Sequence, residues 1–223
     1  MSLLRHLPNA LTCCNLLCGV LGILFIGKGI DTVWFVALAC VFDFLDGFVA
    51  RLLKVSSPIG KELDSLADMV TFGVLPTVMM YHYIDDERWS YVALAIVVCS
   101  ALRLAKFNVD ERQAEGFIGV PTPANALFIV TFIYIFPNAS PSLEITIPVI
   151  LLFCWLMVSP LRLFALKFKH LGWKGNELRF TFLAAAVLLF GIFQVAGVAL
   201  TIILYILTSL ITSWRGAGKG SEL

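Results

Sequence analysis

Four aspartates define the chemistry open to this chain. They fall in Asp43-Phe-Leu-Asp46-Gly47-Phe-Val-Ala50-Arg51 and, after eight further residues, in Gly60-Lys-Glu-Leu-Asp64-Ser-Leu-Ala-Asp68. All four lie in or beside apolar runs of helical length. With Asp43 set at zero on a helix turning about 100° per residue, Asp46 falls near about −60°, Ala50 near about −20°, Gly47 near about +40° and Arg51 near about +80°. These five residues therefore share one face. Asp64 and Asp68, four apart, are neighbours on the next helix. The connection from Leu52 to Glu62 is short, so the two helices are expected to run antiparallel with their acidic faces meeting near one end.

Such a ladder is costly unless something binds it. One Asp at the centre of a membrane helix costs about 2.5–3.5 kcal/mol, and four unpaired ones would cost on the order of 10 kcal/mol. Mutual repulsion adds to that. Arg51 can neutralise one carboxylate, whereas Lys54 and Lys61 are long enough to reach water instead. Solvated loop charges would account for Glu62 and even for Asp43, but not for four carboxylates on facing stripes. Divalent cations account for them. Oxygen-only ligands favour Mg2+, Mn2+ or Ca2+, and four carboxylates can hold two ions about 3.5–4 Å apart. Gly47, Ala50 and Gly60 keep the same region free of bulk. Close helix packing also uses small residues, but next to a metal site and Arg51 a substrate phosphate bridged to the ions explains them better.

The elements that position these groups are membrane helices. Of the 223 residues, 60% are hydrophobic and only 14% charged, and the mean hydropathy is +0.93. A soluble domain is roughly 45–50% apolar and about 25% charged, and one of this length lacks the interior to hide the excess. A net charge of +1 gives no reason to expect nucleic acid as a partner. Apolar runs predict eight spans: Leu11 to Gly27, Trp34 to Leu53, Leu63 to Ile84, Trp89 to Lys106, Thr122 to Phe136, Ile145 to Phe168, Phe180 to Val195 and Gly197 to Trp214. The expected fold is an all-α polytopic membrane helix bundle of about eight transmembrane helices, a six-helix catalytic core plus two. Connections this short leave no room for an extramembrane domain, so chemistry must take place on the helices or at their ends.

Charge sets the orientation. With the N-terminus inside, every Lys and Arg except Lys28 and Arg88 falls on the cytoplasmic side, as the positive-inside bias requires. Both termini are then cytoplasmic. Arg5 and His6 precede an apolar stretch without a small-x-small cleavage site, which reads as an uncleaved first helix. The six cysteines lie within apolar runs and read as packing residues. His6, His82 and His170 fall near span ends, and Asn138-Ala139-Ser140, followed by Pro141, is a weak glycosylation acceptor.

The spacing Asp-x2-Asp-Gly-x2-Ala-Arg-x8-Gly-x3-Asp-x3-Asp matches every fixed position of the CDP-alcohol phosphotransferase signature, at Asp43, Asp46, Gly47, Ala50, Arg51, Gly60, Asp64 and Asp68. The chain therefore resembles that family. The resemblance implies one membrane domain over residues 1–223 that passes a phospholipid's phosphate from a CDP-activated donor to an alcohol and releases CMP. It implies two divalent cations, Mg2+ or Mn2+ with Ca2+ as an alternative occupant, on Asp43, Asp46, Asp64 and Asp68, and Asp68 as general base. It also implies that Asp46, Gly47, Ala50, Arg51 and Gly60 accommodate the CDP-lipid, and that the protein is a homodimer in a bacterial inner or archaeal cell membrane.

Further stretches are similar to the integral-membrane phosphatidylserine synthases, whose substrates are CDP-diacylglycerol and L-serine. These are Met-Val-Thr71-Phe72-Gly73-Val-Leu-Pro76, Arg103-Leu-Ala-Lys106-Phe107-Asn108 and Gly116-Phe117-Ile-Gly119-Val-Pro121-Thr-Pro123-Ala124. The similarity covers about residues 10–130, with Thr71 where many members carry Ser. For a serine acceptor, Arg103 offers a planar fork to the carboxylate, with Lys106 beside it and Asn108 as a hydrogen-bonding partner. Positive-inside bias alone would also account for Arg103 and Lys106. Arg162, Lys167 and Lys169 suit either donor phosphates or anionic headgroups. Other acceptors, glycerol phosphate or inositol, remain open within the family. From a different class, a divalent-cation transporter also places carboxylates among helices, but it should show related halves, and here the acidic motif occurs once.

Overall fold

The structure is a computed structural model and describes residues 3–55, 57–110, 118–136, 141–161, 163, 172–173 and 176–219. A 3-10 turn, Leu3–His6, leads into α1 (Leu7–Phe25), where Pro8 occupies the first turn and its missing N–H costs nothing. Gly27 and Gly29, at φ 74° and 82°, turn the chain into α2 (Thr32–Leu53), which packs along α1.

The chain leaves α2 through Lys54, a left-handed residue at φ 53°, and Val55 N–H bonds back to the Ala50 carbonyl at 3.0 Å. α3 (Pro58–Asp68) begins at once, with Ser57 as its cap: Ser57 Oγ accepts the Gly60 N–H at 2.9 Å. The two acidic helices are thus joined by a short, capped turn.

Past Asp68 the helix widens into a π segment, Met69–Val74, before resuming as α4 (Leu75–Tyr83). Leu75 N–H bonds the Val70 carbonyl, five residues back. Pro76 supplies the reason, since its ring crowds the Phe72 carbonyl four residues earlier and it has no N–H to offer. One extra residue per turn absorbs that defect without ending the helix. The short α5 (Glu87–Ser90), capped by Asp86, runs through a 3-10 turn, Tyr91–Ala93, into α6 (Leu94–Val109).

The remaining helices are α7 (Thr122–Phe132), α8 (Leu143–Val158), α9 (Glu177–Phe193) and α10 (Val195–Lys219). α7 lies between α2 and α10, and its Phe128 stacks on Phe153 of α8 with ring centroids 3.5 Å apart. The segment before α7 is fastened to the end of α8 by Gly119 N–H to the Leu161 carbonyl at 2.8 Å. Gly119 has φ 76°, and a Cβ there would strike the Met157 carbonyl.

No strand occurs among the described residues, and each of the eight expected apolar runs contains a helix. Leu4–Phe25, Thr32–Leu53, Pro58–Tyr83, Glu87–Val109 and Val195–Thr212 are long and apolar enough to cross a membrane. Thr122–Ile135 and Leu143–Val158 are shorter apolar helices. The sixth run was expected to extend to Phe168, but α8 stops at Val158. Pro160 disfavours helical backbone at Ser159, which is extended at ψ 154°. Large apolar side chains such as Leu17, Phe44, Trp155 and Val187 point outward, as a lipid-facing surface requires.

Candidate active site

α2 delivers Asp43 and Asp46 from its last turns, and α3 delivers Asp64 and Asp68. One carboxylate oxygen from each of Asp43, Asp64 and Asp68 lies within 4.8 Å of the others. The expected meeting of the acidic faces is therefore present in these three residues. At about 4 Å, two like charges repel by about 4 kcal/mol at an effective dielectric constant near 20. Buried Asp64 Oδ1 has no hydrogen-bond partner. An oxygen-only cluster with an unsatisfied oxygen fits a hard divalent cation, and no other grouping of His, Cys, Asp or Glu among the described residues does so.

Asp46 stands outside that trio. It is buried, and it accepts a hydrogen bond from Thr12 Oγ1 at 2.6 Å. One helical turn away on α1, Asn15 Nδ2 donates to Asp68 Oδ1 at 3.0 Å. The sequence reading missed both α1 residues. Their only signal was a hydroxyl and an amide three apart on one face of an apolar helix, 34 and 53 residues from the carboxylates they meet.

Asp46 and Asp64 also line a cavity of about 740 Å3 between the start of α1 and the α2–α3 turn. Gly47, Ala50 and Gly60 form small-residue stretches of its wall, while Arg5, Lys54 and Lys61 contribute cationic side chains. A Cβ on Gly60 would come within 3.1 Å of Asn9 Oδ1 and Ser57 Oγ, so any larger residue would crowd the helix cap. Arg51 is exposed and does not line the cavity; its guanidinium lies over Gly47, where a Cβ would sit 3.5 Å from Nη1.

The expected acceptor residues divide. Arg103 is 3% exposed and packs over the Phe107 ring at 5.3 Å, and its Nε has no partner. With Lys106 and Ser159 it lines a second cavity of about 630 Å3. Lys106 Nζ reaches the Val158 carbonyl at 3.4 Å. Asn108 lies apart from this cavity: its Nδ2 donates to Ser65 Oγ at 2.8 Å, and its carbonyl accepts Lys61 Nζ at 3.1 Å. Asn108 thereby ties α6 to α3 beside Asp64. Thr71 donates its hydroxyl to the Asn15 carbonyl at 3.0 Å. Arg112, Gly116, Phe117, Asn138 to Ser140, Arg162, Lys167, Lys169 and His170 lie outside the described residues.

The sequence model of the CDP-alcohol phosphatidyltransferase family matches residues 5–161. A protein of Methanocaldococcus jannaschii named CDP-diacylglycerol–serine O-phosphatidyltransferase is 37% identical over 126 residues, covering 56% of this chain and 59% of that protein. A Bacillus subtilis protein of the same name is 37% identical over 138 residues, covering 59% of this chain and 78% of its own length. One from Helicobacter pylori strain J99, again of that name, is 35% identical over 131 residues, with 55% of each chain covered. The match thus spans less than two thirds of the Methanocaldococcus and Helicobacter proteins and most of the Bacillus one.

Proposed function

The chain belongs to the CDP-alcohol phosphatidyltransferase family, and on that premise we propose that it transfers the phosphatidyl group of CDP-diacylglycerol to the hydroxyl of L-serine, yielding phosphatidylserine and CMP. The observation that carries this reading is the three-carboxylate cluster sharing Asp64 with a roomy, cation-lined cavity. Serine as the acceptor is supported by the names of the relatives and by the buried, unsatisfied Arg103.

Asp43, Asp46, Asp64 and Asp68 would hold two divalent cations, Mg2+ or Mn2+. Bound there, such ions would supply Lewis acidity toward the donor's diphosphate and the negative charge of the leaving CMP. The protein's own side chains do the rest. Arg5, Lys54 and Lys61 present positive charge to the diphosphate, and Gly47, Ala50 and Gly60 leave space for the nucleotide. Arg51, folded over Gly47, lies outside the cavity lining, within reach of a donor that extends past Gly47. Arg103 and Lys106 receive the serine carboxylate, while Asn108 holds the end of α6 against α3. Asp68 takes the hydroxyl proton as the serine oxygen attacks the phosphorus that bears diacylglycerol. Acyl chains anchored in the bilayer keep that phosphorus at the interface, which removes much of the entropic cost of alignment. In this reading the site and both termini face the cytoplasm, and the protein works as a homodimer.

The test uses purified protein in detergent with CDP-diacylglycerol and Mn2+, offering serine, glycerol phosphate or inositol singly and measuring CMP. Release at least tenfold faster with serine is expected. Preference for another alcohol would overturn the acceptor assignment. No CMP with any alcohol, together with Mn2+ uptake by proteoliposomes, would overturn the enzymatic reading.

A further inference from the structure

Asn15 is fully buried on α1 and touches the acidic centre through two separate bonds. Its Nδ2 donates to Asp68 Oδ1 at 3.0 Å, and its backbone carbonyl accepts Thr71 Oγ1 at 3.0 Å. Chemistry sets the direction of the amide, because an ionised carboxylate only accepts and the NH2 end must face it. Asn15 Oδ1 is left buried without a partner. A leucine would fill the same space with no unsatisfied oxygen, so as a packing residue alone the amide would be a poor choice.

The two bonds act together on one short stretch of chain. Asp68 is the last residue of α3, and Thr71 lies in the π segment that follows. A carboxylate's terminal torsion is broad when nothing holds it; the bond from Asn15 fixes the plane of Asp68 and engages one of its oxygens. Thr71 holds Asn15 in turn. Gly19, one turn further along α1, makes the approach possible, since a Cβ there would come within 2.9 Å of Thr71 Cα.

We propose that Asn15 is a positioning residue that sets the plane of the Asp68 carboxylate, leaving its other oxygen to meet the acceptor hydroxyl and the acidic cluster. The proposal rests on Asp68 being the base. Asn15→Leu removes the donor at similar volume. Its kcat should fall about 10- to 100-fold, the effect of losing a hydrogen bond to a charged group. KM for CDP-diacylglycerol should stay within about threefold, because Asn15 does not line the donor cavity. Mn2+ affinity of the purified protein without lipid substrate, read by electron paramagnetic resonance, should drop about fivefold or more as Asp68 loses its orientation. Thr71→Val, which cuts only the bond to the Asn15 carbonyl, should shift kcat in the same direction by a smaller factor. Native kcat and Mn2+ affinity in Asn15→Leu, with only a lower melting temperature, would overturn the proposal. Should that variant not fold, Asn15→Ala carries the same expectations and the same refutation. If wild-type protein released no CMP with any alcohol, the proposed reaction would fail, while the Mn2+ comparison would still decide whether Asn15 orders Asp68.

Discussion

Asp43 and Asp46 are three residues apart on one helix, yet they keep different company. Asp43 joins Asp64 and Asp68, whereas Asp46 turns to the cavity proposed for the donor and is held by Thr12. Thr12→Val should therefore weaken use of the donor more than it disturbs the trio. Losing a hydrogen bond to a buried carboxylate predicts a KM for CDP-diacylglycerol raised about tenfold, with Mn2+ affinity lowered less than in Asn15→Leu because Asp46 stands outside the trio. Thr12→Ser should restore the wild-type value in steady-state assays, and an unchanged KM in Thr12→Val would reduce the bond to helix packing. The acidic residues were legible in the sequence because carboxylates are too costly in apolar helices to lack a purpose. Thr12 and Asn15 were not. Hydroxyls and amides are common glue between membrane helices, and the partners lie 34 and 53 residues away in the chain. Arg103 was legible as a cation but not as a buried one lacking a partner at Nε.

At the scale of elements, the turn joining α2 to α3 does two jobs that conflict. Lys54 adopts φ 53°, a conformation that costs an L-residue about 1–2 kcal/mol, and it also places a cation on the cavity wall. Lys54→Gly removes both the strain and the charge. Its melting temperature should rise by about 2–4 °C, the shift expected for roughly 1 kcal/mol in a chain of this size, while KM for the CDP-lipid should increase. A calorimetric scan paired with donor titration checks the two signs, and an unchanged or lower melting temperature would show that the turn is relaxed. Hydropathy located the helices because apolar length survives any local detail. It could not locate the wide turn at Met69–Val74, since π and α hydrogen bonding clothe the same apolar residues. It also ran past Ser159, where one proline outweighs the apolar residues that follow.

For the whole molecule, the bundle gathers most of its Lys and Arg at one end. The start of α1, the end of α2 and the start of α3 meet around the first cavity, which holds Arg5, Lys54 and Lys61. Lys61 reaches the end of α6 through the Asn108 carbonyl, and Lys106 reaches the end of α8. Positive charge is retained on the cytoplasmic side, so this end should face the cytoplasm, where, in the proposed reaction, CMP would depart and a zwitterionic acceptor could enter without crossing the bilayer. Ile59 is 74% exposed there, and Asp85, also exposed, lies between α4 and α5 on the opposite side. In a background with the six native cysteines replaced, a membrane-impermeant maleimide added to intact cells should label Asp85→Cys and spare Ile59→Cys. Inverted membrane vesicles should give the reverse pattern. Because Ile59 also lines the donor cavity, CDP-diacylglycerol with Mn2+ should slow labelling of Ile59→Cys in those vesicles without affecting Asp85→Cys. Labelling of Ile59→Cys from outside intact cells would invert the topology and place the carboxylates on the far side of the membrane from the nucleotide they are proposed to release.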